Sequence, residues 1–203
     1  MAQGEENKWP KRITVDKRIV SVLSQSTYDS FPRALKELIT NSYDADAKTV
    51  EIDIDLKSET IRIHDTGRGM NATDFEFYLR IAGKTRKKED SRTPLGRAIV
   101  GQFGVGFLAV FPFFQSYQIE TKKSGSPAVL RANIPLHKYF SDEKRIVDIG
   151  SILIDGGTKI EPQKASQSYT TILLKGFNDL TRSFFYSKPK NKKGKFDKNM
   201  VES

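Results

Sequence analysis

Three short stretches of this chain combine residues that could act together on a ligand. The first is Asp65-Thr66-Gly67-Arg68-Gly69-Met70. A carboxylate at the end of a strand can accept a hydrogen bond from an exocyclic amine such as that of adenine. Gly69 gives the ring room and lets backbone approach closely. The second holds Glu37 and Asn41, four residues apart and so on one helix face. An amide oxygen is a good neutral ligand for a hard cation such as magnesium. A carboxylate one turn earlier reaches a water over the same site and can act as general base. The third is Gly101-Gln102-Phe103-Gly104-Val105-Gly106. Its backbone N–H groups, at the start of a helix, favour an anion. Thr170 or Thr171 could add a hydroxyl to the purine, and strand alternation allows only one of them to do so. Plainer readings exist for each. D-x-G turns follow many strands, acids and amides are common on exposed helix edges, and the glycine spacing fits neither a P-loop nor a dinucleotide fingerprint.

The elements that must position these residues are legible from periodicity. Phe31, Ala34, Leu35, Leu38 and Ile39 recur at helical spacing, with Pro32 in a first turn. That predicts a helix from near Ser30 to Asp44–Ala47, with Glu37 and Asn41 flanking its apolar stripe. Asp44 is a candidate support for the site, whereas Asp46 reads as a cap or surface residue. Val50, Ile52, Ile54 and Leu56 alternate with polar residues and predict a half-buried strand. A turn at Ser58-Glu59 and a strand ending at His64 complete a hairpin. Asn71 caps a further helix bearing Phe75, Tyr78 and Leu79, and Met70 packs inward. Residues 83–100 are basic and poor in apolar residues, which predicts a long, mobile loop. Phe107 to Phe111 then read as a short buried helix ending at Pro112. Strands are expected at 115–122, 127–134, 146–154, 158–161 and 169–175, with a helix at 178–186. A further short helix is expected at 16–25, and a polar helix or loop at His137 to Lys144. Helices and a hairpin followed mostly by sheet imply an α/β two-layer sandwich with a mixed, mostly antiparallel sheet.

Composition sets outer limits. The chain has 203 residues, 37% of them hydrophobic, with no cysteine and a net charge of +9. Disulfide and thiolate chemistry are excluded, and no apolar run reaches the roughly 18 to 20 residues that cross a bilayer. No signal core opens the chain, which is compatible with a cytoplasmic protein. His64 and His137 are the two histidines; neither has a metal-ligand partner in sequence, and His64 reads as structural. Two basic clusters stand out, Lys84 to Arg97 and Lys188 to Lys198. The second is expected to be a disordered tail, and basic charge of this kind can also attract nucleic acid.

Taken together, the three stretches resemble the ATPase superfamily of DNA gyrase, heat-shock chaperones, histidine kinases and MutL-type mismatch-repair proteins (GHKL). Glu37-Leu-Ile-Thr-Asn41-Ser-Tyr-Asp44-Ala45 is similar to its first box, Asp65 to Met70 to its second, and Gly101 to Gly106 with Phe107 to its third. The wording is nearest the ninety-kilodalton heat-shock chaperones and the microrchidia-type ATPases. The resemblance implies a Bergerat-type fold over residues 16–186, between a flexible arm at 1–15 and a basic tail at 187–203. It implies ATP and Mg²⁺ as cofactors. Asn41 would hold the metal, Glu37 would orient and deprotonate the attacking water, and Asp65 would bond the adenine amine. Gly67 and Gly69 would shape the base pocket, and Gly101, Gly104 and Gly106 would surround the phosphates. Asp44, Met70, Gln102, Phe103, Val105 and Phe107 complete the boxes as candidate nucleotide contacts. Residues 83–100 would form the ATP lid, with Lys84 or Thr85 near phosphate. The family threonine aligns to Thr170, although Tyr169 replaces the glycine expected before it. Slow hydrolysis, lid closure and an ATP-dependent homodimer are implied. In many relatives a following domain completes the γ-phosphate site, so the chain reads either as the amino-terminal fragment of a longer protein with such a downstream domain or as an isolated domain. The competing expectation is a nucleotide-sensing module, chaperone-like or DNA-associated, that hydrolyses little.

Overall fold

The computed structural model describes residues 11–12, 14–15, 30–81, 92–101, 106–135, 153–161 and 166–186. The helix expected at 16–25, the segment from His137 to Lys144, the candidates Lys84, Thr85, Gln102, Phe103, Gly104 and Val105, and the tail at 187–203 lie outside the described residues. Two strands, β1 (Lys11–Arg12) and β2 (Thr14–Val15), fall inside the stretch expected to be an unstructured arm.

Helix α1 spans Phe31–Asp44, with Pro32 in its first turn, where a missing N–H breaks no bond. Phe31, Ala34, Leu38 and Ser42 form its buried face. Strands β3 (Val50–Asp55) and β4 (Thr60–Asp65) form the expected hairpin, with Val50 opposite Asp65. The half-buried reading of β3 is corrected. Ile61 and Ile63 of β4 are buried, yet their cross-strand neighbours Ile54 and Ile52 are 46% and 38% exposed. β3 is the last strand of its sheet; Val50 at its start packs against the core, and the residues after it are exposed.

Helix α2 (Ala72–Leu79) is capped as expected: Asp74 N–H donates to Asn71 Oδ1 at 2.8 Å, and Asn71 N–H to Asp74 Oδ2 at 3.3 Å. It leads into β5 (Arg80–Ile81), which pairs in parallel with β2. The buried helix after the glycines is a 3-10 helix, Gly106–Phe113, and it continues through Pro112. Then follow β6 (Phe114–Lys122), β7 (Ala128–Ile134), β8 (Leu153–Ile160), β9 (Tyr169–Phe177) and α3 (Asp179–Tyr186). The strands expected separately at 146–154 and 158–161 meet in β8. Gly156 and Gly157 do not punctuate it, because pairing with β7 from Asp155 to Ile160 keeps both in the ladder.

The sheet has seven strands in the order β1-β8-β7-β6-β9-β4-β3, antiparallel at each pairing. The architecture is the predicted α/β sandwich of two layers; its main sheet is antiparallel throughout rather than mixed, since the parallel pair β2–β5 forms a separate two-stranded sheet. The core lies between the sheet and the helices. Phe31 anchors it, with ring centroids 5.0 to 6.1 Å from those of Phe113, Phe114, Phe184 and Phe185. α3 is fastened to the hairpin turn: Arg182 forks onto both Glu59 oxygens at 2.8 Å, and Tyr186 Oη–H donates to Leu56 O at 2.7 Å. No helix among the described residues is long and apolar enough to cross a membrane.

Candidate nucleotide site

The Asp65–Met70 loop and Gly101, the first residue of the third stretch, both meet the C-terminal end of α1. Its buried face carries Leu38 and, one turn on, Ser42. Ser42 Oγ–H donates to Asp65 Oδ2 at 2.9 Å, joining helix to strand end. Asp65 Oδ1 accepts from Gly67 N–H at 2.9 Å, which folds the loop back on its own carboxylate. The Arg68 N–H donates to Ala45 O at 2.9 Å. The second stretch is thus held to the first through both side chain and backbone.

Asp65 is only 4% exposed. Burial pushes its carboxyl above the ordinary value, since a desolvated charge is disfavoured. The Gly67 N–H, the Ser42 hydroxyl, the charge of His64 and the Thr170 backbone pull the other way. Asp65 is therefore a buried acceptor whose charged form is costly, and a donor arriving from a ligand would relieve it.

Register settles which threonine shares its face. Thr170 lies directly opposite Asp65 in the β4–β9 ladder, and Thr171 opposite His64. His64 Nδ1 and Thr171 Oγ1 meet at 2.8 Å on the other face of the sheet from Asp65. Thr170 Oγ1 lies 3.0 Å from Thr121 Oγ1, and Met70 N–H donates to Thr121 Oγ1 at 3.0 Å. Met70 itself packs against the core. Gly69 has φ 61°, and a Cβ there would lie 1.7 Å from Lys122 O, so backbone meets backbone where no side chain fits.

Glu37, Asn41 and Asp44 fall at i, i+4 and i+7 of α1, one face of the helix. Glu37 and Asn41 are half-buried. Asp44 accepts the N–H groups of Val100 at 2.9 Å and Gly101 at 2.7 Å. This face therefore looks toward the start of the glycine stretch. Phe107, just past that stretch, is buried in the core against Tyr78, Phe111 and Tyr117.

Two expectations change here. The described part of the 83–100 loop, residues 92–100, is tied to α1 rather than free. Asp46, read as a cap or surface residue, does cap the helix end, its N–H donating to Tyr43 O at 3.0 Å, but it is not on the surface: it is 8% exposed and bonded to Thr93 and Leu95. Sequence reasoning also missed Ser42, Thr121 and Lys122. Ser42 sits four residues after Leu38, and a hydroxyl on an apolar stripe was its signal. Thr121 continues the inward set Tyr117 and Ile119. Lys122 gave no signal, since a lysine near a strand end reads as solvated, yet it is wholly buried and its ammonium donates to Gln167 O at 3.0 Å.

A metal would find few protein ligands. Among the described residues no group of three His, Cys, Asp or Glu side chains could hold one. Asn41, half-buried one turn after Glu37 on α1, offers a neutral amide oxygen, a donor type that suits a hard cation. A shallow groove lined by Arg62, Gln118, Glu120, Arg131, Asn133 and Thr171 lies on the opposite sheet face from Asp65 and is a different place.

The chain is 33% identical over 106 residues to a putative type II restriction enzyme, HgiDII, of Herpetosiphon aurantiacus, covering 52% of this chain and 17% of that protein. It is 30% identical over 173 residues to the chaperone protein HtpG of Helicobacter hepaticus, covering 70% of this chain and 26% of the chaperone. The chain thus spans about a quarter or less of these relatives' lengths. Its fold is similar to the ATPase and transducer domains of DNA topoisomerase II from Balamuthia mandrillaris, with TM-score 0.51 at 17% identity over 73% of this chain and 37% of that one. The ATPase region of Saccharomyces cerevisiae topoisomerase II gives TM-score 0.51 at 16% identity, over 74% and 38% of the two chains. The model for histidine kinase-, DNA gyrase B- and HSP90-like ATPases matches residues 28–170. With all three boxes inside that span, the chain belongs to the histidine kinase-, DNA gyrase B- and HSP90-like ATPase family.

Proposed function

We propose that residues 16–186 form one ATP-binding domain that takes Mg²⁺-ATP between the C-terminal half of α1, the Asp65–Met70 loop and the stretch opening at Gly101, and hydrolyses it slowly. The observation that carries this reading is the buried Asp65 carboxylate, fastened to α1 through Ser42 and facing Thr170 across the ladder. Asp65 accepts from the adenine amine, and Thr170 adds a hydroxyl on the same face. Gly67 and Gly69 keep the base pocket open. Asn41 offers its amide oxygen to the metal, and Glu37, one turn earlier, orients the attacking water and takes its proton. Bound Mg²⁺ supplies neutralising charge to the phosphates. Gly101, Gly104 and Gly106 surround the phosphates; the Gly101 N–H is held by Asp44, so Gly104 and Gly106 give the N–H donors, and Lys84 or Thr85 supplements them. Phosphoryl transfer to water needs positioning and charge neutralisation more than covalent help, which suits this sparse set of groups.

Nucleotide binding is read as the signal for lid closure and for pairing of two chains. The resemblance to HtpG on one side and to topoisomerase and restriction-enzyme relatives on the other leaves chaperone-like and DNA-associated roles as the two settings for that signal. Calorimetry with ATP and Mg²⁺, repeated on Asp65→Asn, tests the site: binding is expected in the parent and lost in the variant. Equal binding in both would overturn the assignment. Phosphate release then separates a hydrolase from a sensor that binds without turnover.

A further inference from the structure

α1 ends with a side chain where steric rules favour none. The helix closes in a Schellman arrangement, with Asp46 N–H on Tyr43 O at 3.0 Å and Ala47 N–H on Ser42 O at 3.1 Å. The residue that turns the chain out of such an end is left-handed and is usually glycine. Here it is Asp46, at φ 61°, with its carboxylate buried. A strained backbone and a buried charge persist only where the surroundings hold them.

What holds them is the turn at Thr93–Gly96. Asp46 Oδ1 accepts the Thr93 hydroxyl at 2.5 Å, and Oδ2 accepts the Leu95 N–H at 3.2 Å. Thr93 closes the turn on itself: Arg97 N–H reaches Thr93 Oγ1 at 3.1 Å, and Gly96 N–H reaches Thr93 O at 2.8 Å. The Arg97 guanidinium returns to the same helix end. It donates to Ala47 O at 2.9 Å and Tyr43 O at 3.4 Å, and lies 5.0 Å over the Tyr43 ring. Three residues on, Asp44 takes the Val100 and Gly101 N–H groups. Residues 93–101 are therefore a strap tied at both ends to the last turn of α1, and its final residue is the first glycine of the candidate phosphate stretch.

We propose that Asp46 is a positioning residue for nucleotide polyphosphate binding: by clamping the Thr93–Arg97 turn it fixes where Val100 and Gly101 meet Asp44, and so the point from which the chain enters the candidate phosphate stretch. The inference rests on the nucleotide reading above. It explains why an acid occupies a glycine position. Glycine would relax the backbone there but would release the strap.

The test uses the full chain and three variants. Asp46→Gly suits the backbone and removes the clamp. Thr93→Val removes the hydroxyl at nearly constant shape, and Thr93→Ser restores it. Amide hydrogen exchange at Leu95, Arg97, Val100 and Gly101 is read without nucleotide. Affinity for adenylyl imidodiphosphate with Mg²⁺ is read by calorimetry, and folding by thermal melting. Asp46→Gly and Thr93→Val are expected to exchange these amides about tenfold faster and to bind the analogue about tenfold more weakly. Melting of Asp46→Gly should move little, since relieved strain offsets lost bonds, and Thr93→Ser should recover both exchange and affinity. Unchanged exchange in the two variants overturns the clamp. Faster exchange with unchanged affinity overturns the positioning role. If the parent chain itself fails to bind the analogue, the nucleotide reading and the positioning role fall together, and exchange alone still decides whether the clamp exists.

Discussion

Two carboxylates carry opposite demands. Asp65 is buried and its carboxyl is pushed up from the ordinary 3.8, so the folded chain holds that proton more tightly than the unfolded one. The group's favourable contribution is complete below the unfolded value and is lost as pH rises through the folded one. Asp65→Asn removes that loss, and the Ser42 hydroxyl can turn to accept from the new amide. The variant is expected to melt at or above the parent at pH 7, with the difference shrinking toward pH 4, while nucleotide binding disappears. Melting curves across that range check the sign. Glu37, half-exposed on α1, is expected to act later than binding. Glu37→Ala should bind ATP normally and release phosphate about a hundredfold more slowly; turnover at the parental rate would refute its role as base. The residues proposed for the site are those where chemistry restricts the residue type, as with Asp65 and Asn41. Lys122 was not legible in the sequence, because its partner Gln167 lies on a distant segment; Ser42 stood out as a hydroxyl on an apolar stripe, but spacing along the chain could not reveal its bond to Asp65.

At the scale of elements, periodicity gave α1, the hairpin, α2 and α3 close to their observed limits, since each repeats its apolar residues at its own period. It failed where the neighbour decides. β3 alternates as cleanly as any half-buried strand, yet as the edge strand it leaves Ile52 and Ile54 uncovered. Ile61→Ala, beneath the helices, is expected to cost about 2 to 5 kcal/mol. Ile54→Ala, on the facing but uncovered position, should cost less than about 1 kcal/mol. Denaturant titration of both distinguishes them, and equal losses would mean the edge is buried in solution. The strap at 93–101 was unreadable for a related reason: its composition is that of a loop, and its order comes from two aspartates on another element. β8 was divided in error because glycines punctuate isolated strands but not those held in a ladder by a neighbour.

For the molecule as a whole, the proposed switch makes one prediction. Light scattering with adenylyl imidodiphosphate and Mg²⁺ should raise the mass toward that of two chains, and an unchanged mass would remove pairing from the account. The sheet end beside the site bears on how such a signal would travel. The loop leaving β4 does not stay with its own neighbour. It passes over the start of β9 and rests on β6, Gly69 against the Lys122 carbonyl and Met70 on Thr121. Strand termini ordinarily fray first. This one is bound across by a clasp spanning three strands, so thermal breathing of the sheet should begin at its far edges and reach Thr170 last, leaving the base-reading floor firm while its surroundings move.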